Sequence, residues 1–157
     1  MPYDRLMSAD DDLTSALRAI SETIPFNRHL GLEVTAFSAD GCTVEFDRRP
    51  EHVGNVLRDV LHGGVISSAV DFVGGMTALA TMVRGAEITS IEELGRMFAR
   101  FGTIDLRVDY LRPGAGIHFV ATGTALRTGR RVAVTRMELR NEEDTLIAVG
   151  TGSYATG

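Results

Sequence analysis

A chain of 157 residues, 44% hydrophobic and 24% charged, is most economically one globular domain with one core. The formal net charge of −5 argues against a dedicated nucleic-acid binder, and Cys42, the single cysteine, excludes an intrachain disulfide. That cysteine usage fits a reducing compartment, and Met1-Pro2-Tyr3-Asp4-Arg5, turning acidic at Asp10-Asp11-Asp12, lacks the basic and apolar regions of a signal peptide. A cytoplasmic protein is the expectation.

Residues 11–24 predict a surface helix, with Leu13, Leu17, Ile20 and Ile24 at helical spacing and Pro25 ending it. Residues 1–27 are thus an N-terminal helical segment ahead of a domain at 28–157. Two strands, 31–37 and 41–47, flank the turn signal Ala39-Asp40-Gly41. Residues 48–61, with Pro50 and Gly54, read as a loop, and a central helix follows at about 64–82. Residues 84–102 read as an insertion. In it Ser90 and Glu93 form a capping box, and Ile91, Leu94, Met97, Phe98 and Phe101 share one helical face.

The remainder reads as strand. In 103–110, Ile104, Leu106, Val108 and Tyr110 alternate with Thr103, Asp105, Arg107 and Asp109, so strict alternation puts Thr103 on the polar face. Strands at 117–126 and 131–140 surround the turn Arg127-Thr128-Gly129-Arg130, and 145–155 supplies the last. Tight turns imply antiparallel pairing, and a helix apolar nearly all round must be covered on most sides. One curved antiparallel sheet around one central helix meets both demands, an α+β fold.

The chemistry concentrates at the start of that helix. Leu61-His62-Gly63-Gly64 leads into an apolar run in which Asp71 is the one formal charge between Val65 and Val83. A carboxylate buried there costs several kcal/mol unless it is paired or solvated for a purpose. The glycines leave backbone N–H groups bare at a helix start, where the dipole favours negative charge. An oxyanion site beside a lone carboxylate suggests acyl chemistry. Ser67, Ser68, Asp71, Gly74 and Gly75 interrupt the run, which makes it a buried helix and not a membrane span. Gly74, Gly75 and Ala78 offer room for an acyl group. His29, His52 and His118 are isolated and, with Cys42, show no ligand spacing, so no metal is expected.

With these residues the chain resembles the hotdog-fold acyl-CoA thioesterases of the PaaI type, over roughly 28–155. Four segments carry the resemblance: His29-Leu30-Gly31-Leu32-Glu33-Val34; Gly54-Asn55 with Leu61-His62-Gly63-Gly64-Val65-Ile66 and Asp71; Gly102-Thr103 through Arg112-Pro113; and Gly129-Arg130-Arg131 with Leu146 through Gly152. The resemblance implies Asp71 as general base or nucleophile. It implies the Gly63 N–H as holder of the thioester oxygen, with His62 and Gly64 beside it. Asn55 would polarise the carbonyl, although it lies seven residues before His62 where many relatives have six. Thr103 would assist the water or the acid. Tyr110, Arg127, Gly129 and Arg130 would contact substrate, the hairpin touching the CoA nucleotide. No cofactor is implied.

On helix rise alone, Asp71 lies roughly 10–12 Å along the axis from Gly63 of its own chain. The resemblance resolves this with a homodimer or a dimer of dimers, in which two central helices run antiparallel and Asp71 of one chain faces Gly63 of the other. The expected partners are acyl-CoA and a second copy of the chain, with neither nucleic acid nor membrane. Two other readings share these residues: a hotdog hydratase or dehydratase acting on acyl thioesters, and a non-catalytic acyl-CoA sensor.

Overall fold

The computed structural model describes residues 9–86, 88 and 90–155. The Met1–Arg5 start and parts of the expected 1–27 and 84–102 segments lie outside the described residues. The N-terminal region holds two helices, α1 (Ala9–Thr23) and α2 (Pro25–Leu30), where the periodicity predicts one. Pro25 does end α1, and it also opens α2 from the first helical position, where its missing N–H costs nothing. Gly31 closes α2 at φ 70°, a left-handed position that favours glycine. Leu17 is fully buried in the main core, so α1 is held by apolar packing and is not merely a surface element.

Strands β1 (Glu33–Phe37) and β2 (Gly41–Asp47) form the expected hairpin. The expected loop at 48–61 is instead structured. A 3-10 turn at Pro50–His52 precedes a small separate hairpin of β3 (Val53–Asn55) and β4 (Val60–Leu61). The central helix α3 (Gly63–Gly85) runs longer than the pattern predicts, and α4 (Ile91–Arg100) follows. Ser90 caps α4 by accepting the Glu93 N–H. Leu94, Met97, Phe98 and Phe101 pack toward the core, but Ile91 is 82% exposed and off the expected face.

Four long strands complete the chain: β5 (Gly102–Tyr110), β6 (His118–Thr128), β7 (Val132–Asn141) and β8 (Leu146–Ala155). They join β1 and β2 in one antiparallel sheet of order β1-β2-β6-β7-β8-β5, leaving β1 and β5 as its edges. α3 lies against β2, β5, β6, β7 and β8. Val65, Ile66, Val70, Val73 and Leu79 meet Val44, Phe46, Phe119, Met137, Leu139 and Ile147 in one buried cluster. Burying each such side chain fully is worth about 1.5–3 kcal/mol. Glycines on the sheet allow the close approach: a Cβ on Gly123 would strike the Thr77 hydroxyl, and one on Gly150 would come within 2.5 Å of Val70. α3 has the length and hydropathy to cross a membrane, but 72% of its apolar window is buried in the protein, as befits a core helix. A curved antiparallel sheet around a long helix is the α+β hotdog arrangement expected.

Candidate active site

His62 caps α3. Its backbone is extended (φ −64°, ψ 138°), and its ring Nδ1 accepts the Gly64 N–H at 2.8 Å. The Val65 and Ile66 N–H groups donate to the His62 carbonyl at 3.0 and 3.3 Å. Of the first amides of α3, the Gly63 N–H is left, and no acceptor among the described residues takes it. The cap explains Gly64, since a Cβ there would press to 2.9 Å from His62 Nδ1. It does not explain Gly63, where a Cβ would only touch the Tyr110 ring at 3.5 Å. Tyr110, at the far end of β5, donates its hydroxyl to the Gly63 carbonyl at 3.1 Å. A free amide at the start of a 23-residue helix is a site for developing negative charge.

The β3–β4 hairpin lies against this end. A Cβ on Gly54 would come within 2.5 Å of His62 Cα, so the strand crosses the cap closely only because residue 54 is glycine. His62 N–H donates to the His52 carbonyl at 2.8 Å, and Arg48 clasps Asp59 at 2.8 Å on the other side of the hairpin. Asn55 Oδ1 accepts the Leu57 and Arg58 N–H groups at 3.1 and 3.2 Å, an Asx turn, which leaves its amide nitrogen for other partners. Ser67 and Ser68 return their hydroxyls to the Gly64 carbonyl, which is how two hydroxyls sit in an apolar helix.

Asp71 is half-buried two turns further along α3. Thr103 Oγ1 donates to its Oδ1 at 3.0 Å, with Oδ2 at 3.4 Å. This corrects the strict alternation of β5, which puts Thr103 on the opposite face. The register shifts between Thr103 and Asp105: Thr103 pairs with Tyr154 and Asp105 with Ser153, leaving Ile104 as an extra residue. A bulge of this kind reverses the facing of every residue beyond it. Thr103 therefore turns toward α3, and Ile104, expected inside, is 58% exposed.

The bulge also reveals a residue that the alternation pattern misses. Tyr154, fully buried on β8 opposite Thr103, donates its hydroxyl toward Asp71 Oδ1 at 3.2 Å and the Asp71 carbonyl at 3.1 Å. Burial, reinforced by the neighbouring Asp71 charge, pushes its phenol far above the usual tyrosine range, so it stays a donor. The sequence signal was available: Ala148, Gly150, Gly152 and Tyr154 share the inward phase of β8, and a buried tyrosine needs a hydroxyl partner. The tyrosine also fills the space expected for an acyl group beside Gly74 and Gly75. A Cβ on Gly74 would collide with the Tyr154 hydroxyl, and one on Gly75 would meet the Phe101 and Tyr154 rings.

Arg127, Gly129 and Arg130 stand apart from both groups. Arg127 ends up within β6, Gly129 N–H closes the turn on the Val132 carbonyl at 2.9 Å, and both arginines are exposed. Thr128 ties this hairpin to Thr81 at 3.1 Å, ten residues and roughly 15 Å along α3 beyond Asp71. Among the described residues no cluster of three or more His, Cys, Asp or Glu is placed to hold a metal ion.

Known proteins resemble this chain in sequence and fold. The chain is 43% identical to the medium/long-chain acyl-CoA thioesterase YigI of Escherichia coli K12, over 96% of its own length and all of the relative's. A crystal structure of a Shewanella oneidensis protein related to the thioesterase superfamily superposes with a TM-score of 0.85 at 44% identity, covering 93% of this chain and 98% of that one. The Escherichia coli PaaI protein, from the phenylacetic acid degradation operon, shares the fold at a TM-score of 0.75 and 17% identity, covering 94% and 95% of the two chains. Residues 59–148, from the β3–β4 hairpin into β8, match the family described as the thioesterase superfamily, and the chain belongs to that family.

Proposed function

We propose that this protein hydrolyses acyl-CoA thioesters to the free acid and CoA, with medium- to long-chain acyl groups as substrates. The carrying observation is the pair of prepared groups on α3: a carboxylate held by Thr103 at one point and an untaken amide at the helix start. The name borne by the 43% identical relative points the same way. The Gly63 N–H, reinforced by the helix dipole, receives the oxyanion as the thioester carbon becomes tetrahedral. His62 and Gly64 hold that amide in place through the cap, and the amide nitrogen of Asn55 adds a second donor to the carbonyl. Asp71 takes a proton from water, the water oxygen bonds to the carbonyl carbon, and the C–S bond then breaks as Asp71 returns the proton to the departing sulfur, releasing the CoA thiol. Direct attack by Asp71 through an anhydride uses the same geometry. Thr103 holds the acid, Tyr110 buttresses Gly63, and Arg127, Gly129 and Arg130 bind the CoA nucleotide.

The working unit is a homodimer or a dimer of dimers. Gly63 and Asp71 lie eight residues apart on one helix, roughly 12 Å along its axis, too far for one thioester carbon. Antiparallel α3 helices across a two-fold axis bring Asp71 of each chain to Gly63 of the other. Supporting this are the unpaired edge of β5 and the exposed Ile104, Tyr110 and Leu111 along it. In this reading 28–157 is the hotdog domain, preceded by an N-terminal helical segment, and 84–102 is an insertion; the protein works in the cytoplasm without cofactor, nucleic acid or membrane. The test is CoA-thiol release across acyl-CoAs of short, medium, long and aromatic chains. Turnover should rise toward the longer chains, and absence of thiol release from the whole series overturns the proposal.

A further inference from the structure

We infer that Tyr154 is a positioning residue for Asp71: together with Thr103 it pins Oδ1 and leaves Oδ2 as the reacting oxygen. The inference rests on the reading of Asp71 as base or nucleophile. Both donors come from one cross-strand pair, Thr103 on β5 and Tyr154 on β8, created by the bulge at Ile104. Both approach Oδ1, at 3.0 and 3.2 Å, the tyrosine hydroxyl sharing its proton with the Asp71 carbonyl at 3.1 Å, while among the described residues Oδ2 has only the longer 3.4 Å approach from Thr103. An anchored oxygen and a free one fix the plane of the carboxylate, and the free oxygen is the one able to meet water or the thioester carbon.

Tyr154 is itself held with little freedom. Its ring stacks on Phe101 with centroids 5.9 Å apart and planes 4° from parallel. Its hydroxyl end sits where Gly74 and Gly152 lack side chains; a Cβ on either would overlap the phenol. Phe101 follows directly on α4, so the segment between α3 and β5 contributes one wall of the tyrosine's slot. A tyrosine needed only for bulk requires neither glycine at its hydroxyl nor an acceptor on a charged side chain.

The test is Tyr154→Phe in the full chain, assayed on a long-chain acyl-CoA. Loss of a hydrogen bond to a charged group predicts a fall in kcat of about ten- to a hundredfold. KM should stay within about threefold of the parent, because the contact serves the reacting atoms and not binding. Added to Asp71→Asn, the same change should alter the residual rate less than about twofold, since the hydroxyl then has no carboxylate to place. A folded Tyr154→Phe protein with near-parent kcat, or one changed only in KM, overturns the inference. If Asp71→Asn retains turnover, it is the Asp71 assignment that has failed; if Asp71→Asn is dead and Tyr154→Phe keeps near-parent kcat, only the tyrosine's role has. Should Tyr154→Phe not fold, Phe101→Leu loosens the ring and keeps the hydroxyl. An unchanged kcat in that variant overturns the inference, and a fall in kcat with KM near the parent's supports it.

Discussion

Around Asp71 the chain is closed upon itself. Thr103 and Tyr154 supply its donors, Phe101 backs the tyrosine, and the glycines at 74 and 152 leave no spare volume. At the other end of the same helical segment the chain is open. The Gly63 amide is untaken among the described residues, His62 and Gly64 are exposed, and the hairpin leading into them carries Val56 and Leu57 at 82% and 95% exposure. In the proposed dimer, a closed acid and an open amide on one helix are two halves of a site that a single copy does not join. The difference teaches which half is stability-limited and which is limited by assembly: changes near Asp71 should act within a chain, and changes near Gly63 between chains.

Asp71→Asn tests the closed half directly. It keeps the shape and should lower kcat by at least about a hundredfold while leaving the melting transition near the parent's. The open half is tested by Gly63→Pro, which removes the amide but suits the first position of a helix. It should inactivate alone, and mixing it with Asp71→Asn under subunit exchange should restore activity through one intact site per heterodimer. Exchange without recovery would place both groups in a single-chain site. Gly74→Ala asks whether the closed half is as tight as it looks. Its methyl meets Tyr154 and Met137, so unfolding free energy should fall by about 1–3 kcal/mol, with kcat falling alongside. A variant as stable as the parent would show that the slot has slack.

Arg127→Ala/Arg130→Ala touches neither half. It should raise KM for full acyl-CoA and weaken its salt dependence, with kcat nearly unchanged and no effect on a thioester lacking the nucleotide. The smallest effect belongs to the outer face of the sheet. His118 sits between Asp47 at 2.8 Å and Glu45 at 3.0 Å, and the Asp47 hydrogen bond, ahead of Glu45, raises its pKa above the ordinary histidine value. Its folded value being the higher, the stabilisation is fully present below the unfolded value near 6.5 and is lost as pH rises through the folded one. His118→Asn should therefore destabilise the protein at pH 5.5 more than at pH 8.5, by less than about 1 kcal/mol given its exposure. Equal losses at both pH values would refute the linkage.

What the sequence determined by itself is whatever depends on residues close in the chain. Asp71 stands out because it is the one charge in an apolar run, His62-Gly63-Gly64 because two glycines at a helix start leave amides bare, and the strand at 103–110 because apolar and polar residues alternate along it. The short elements escape that signal. Six residues of α2 and the three and two residues of β3 and β4 span too little for a period to show. The facing of Thr103 was decided by tertiary structure, because a bulge belongs to the pairing of two strands and not to either alone. Tyr154 follows from the same cause: its hydroxyl finds Asp71 across 83 residues of chain, only once β8 lies on α3. The room at Gly74 and Gly75 was likewise decided by what the fold brings against it, an aromatic pair and a methionine. Local chemistry nominates the acid, and long-range packing chooses the groups that hold it, because hydrogen-bond geometry exists only between positioned atoms.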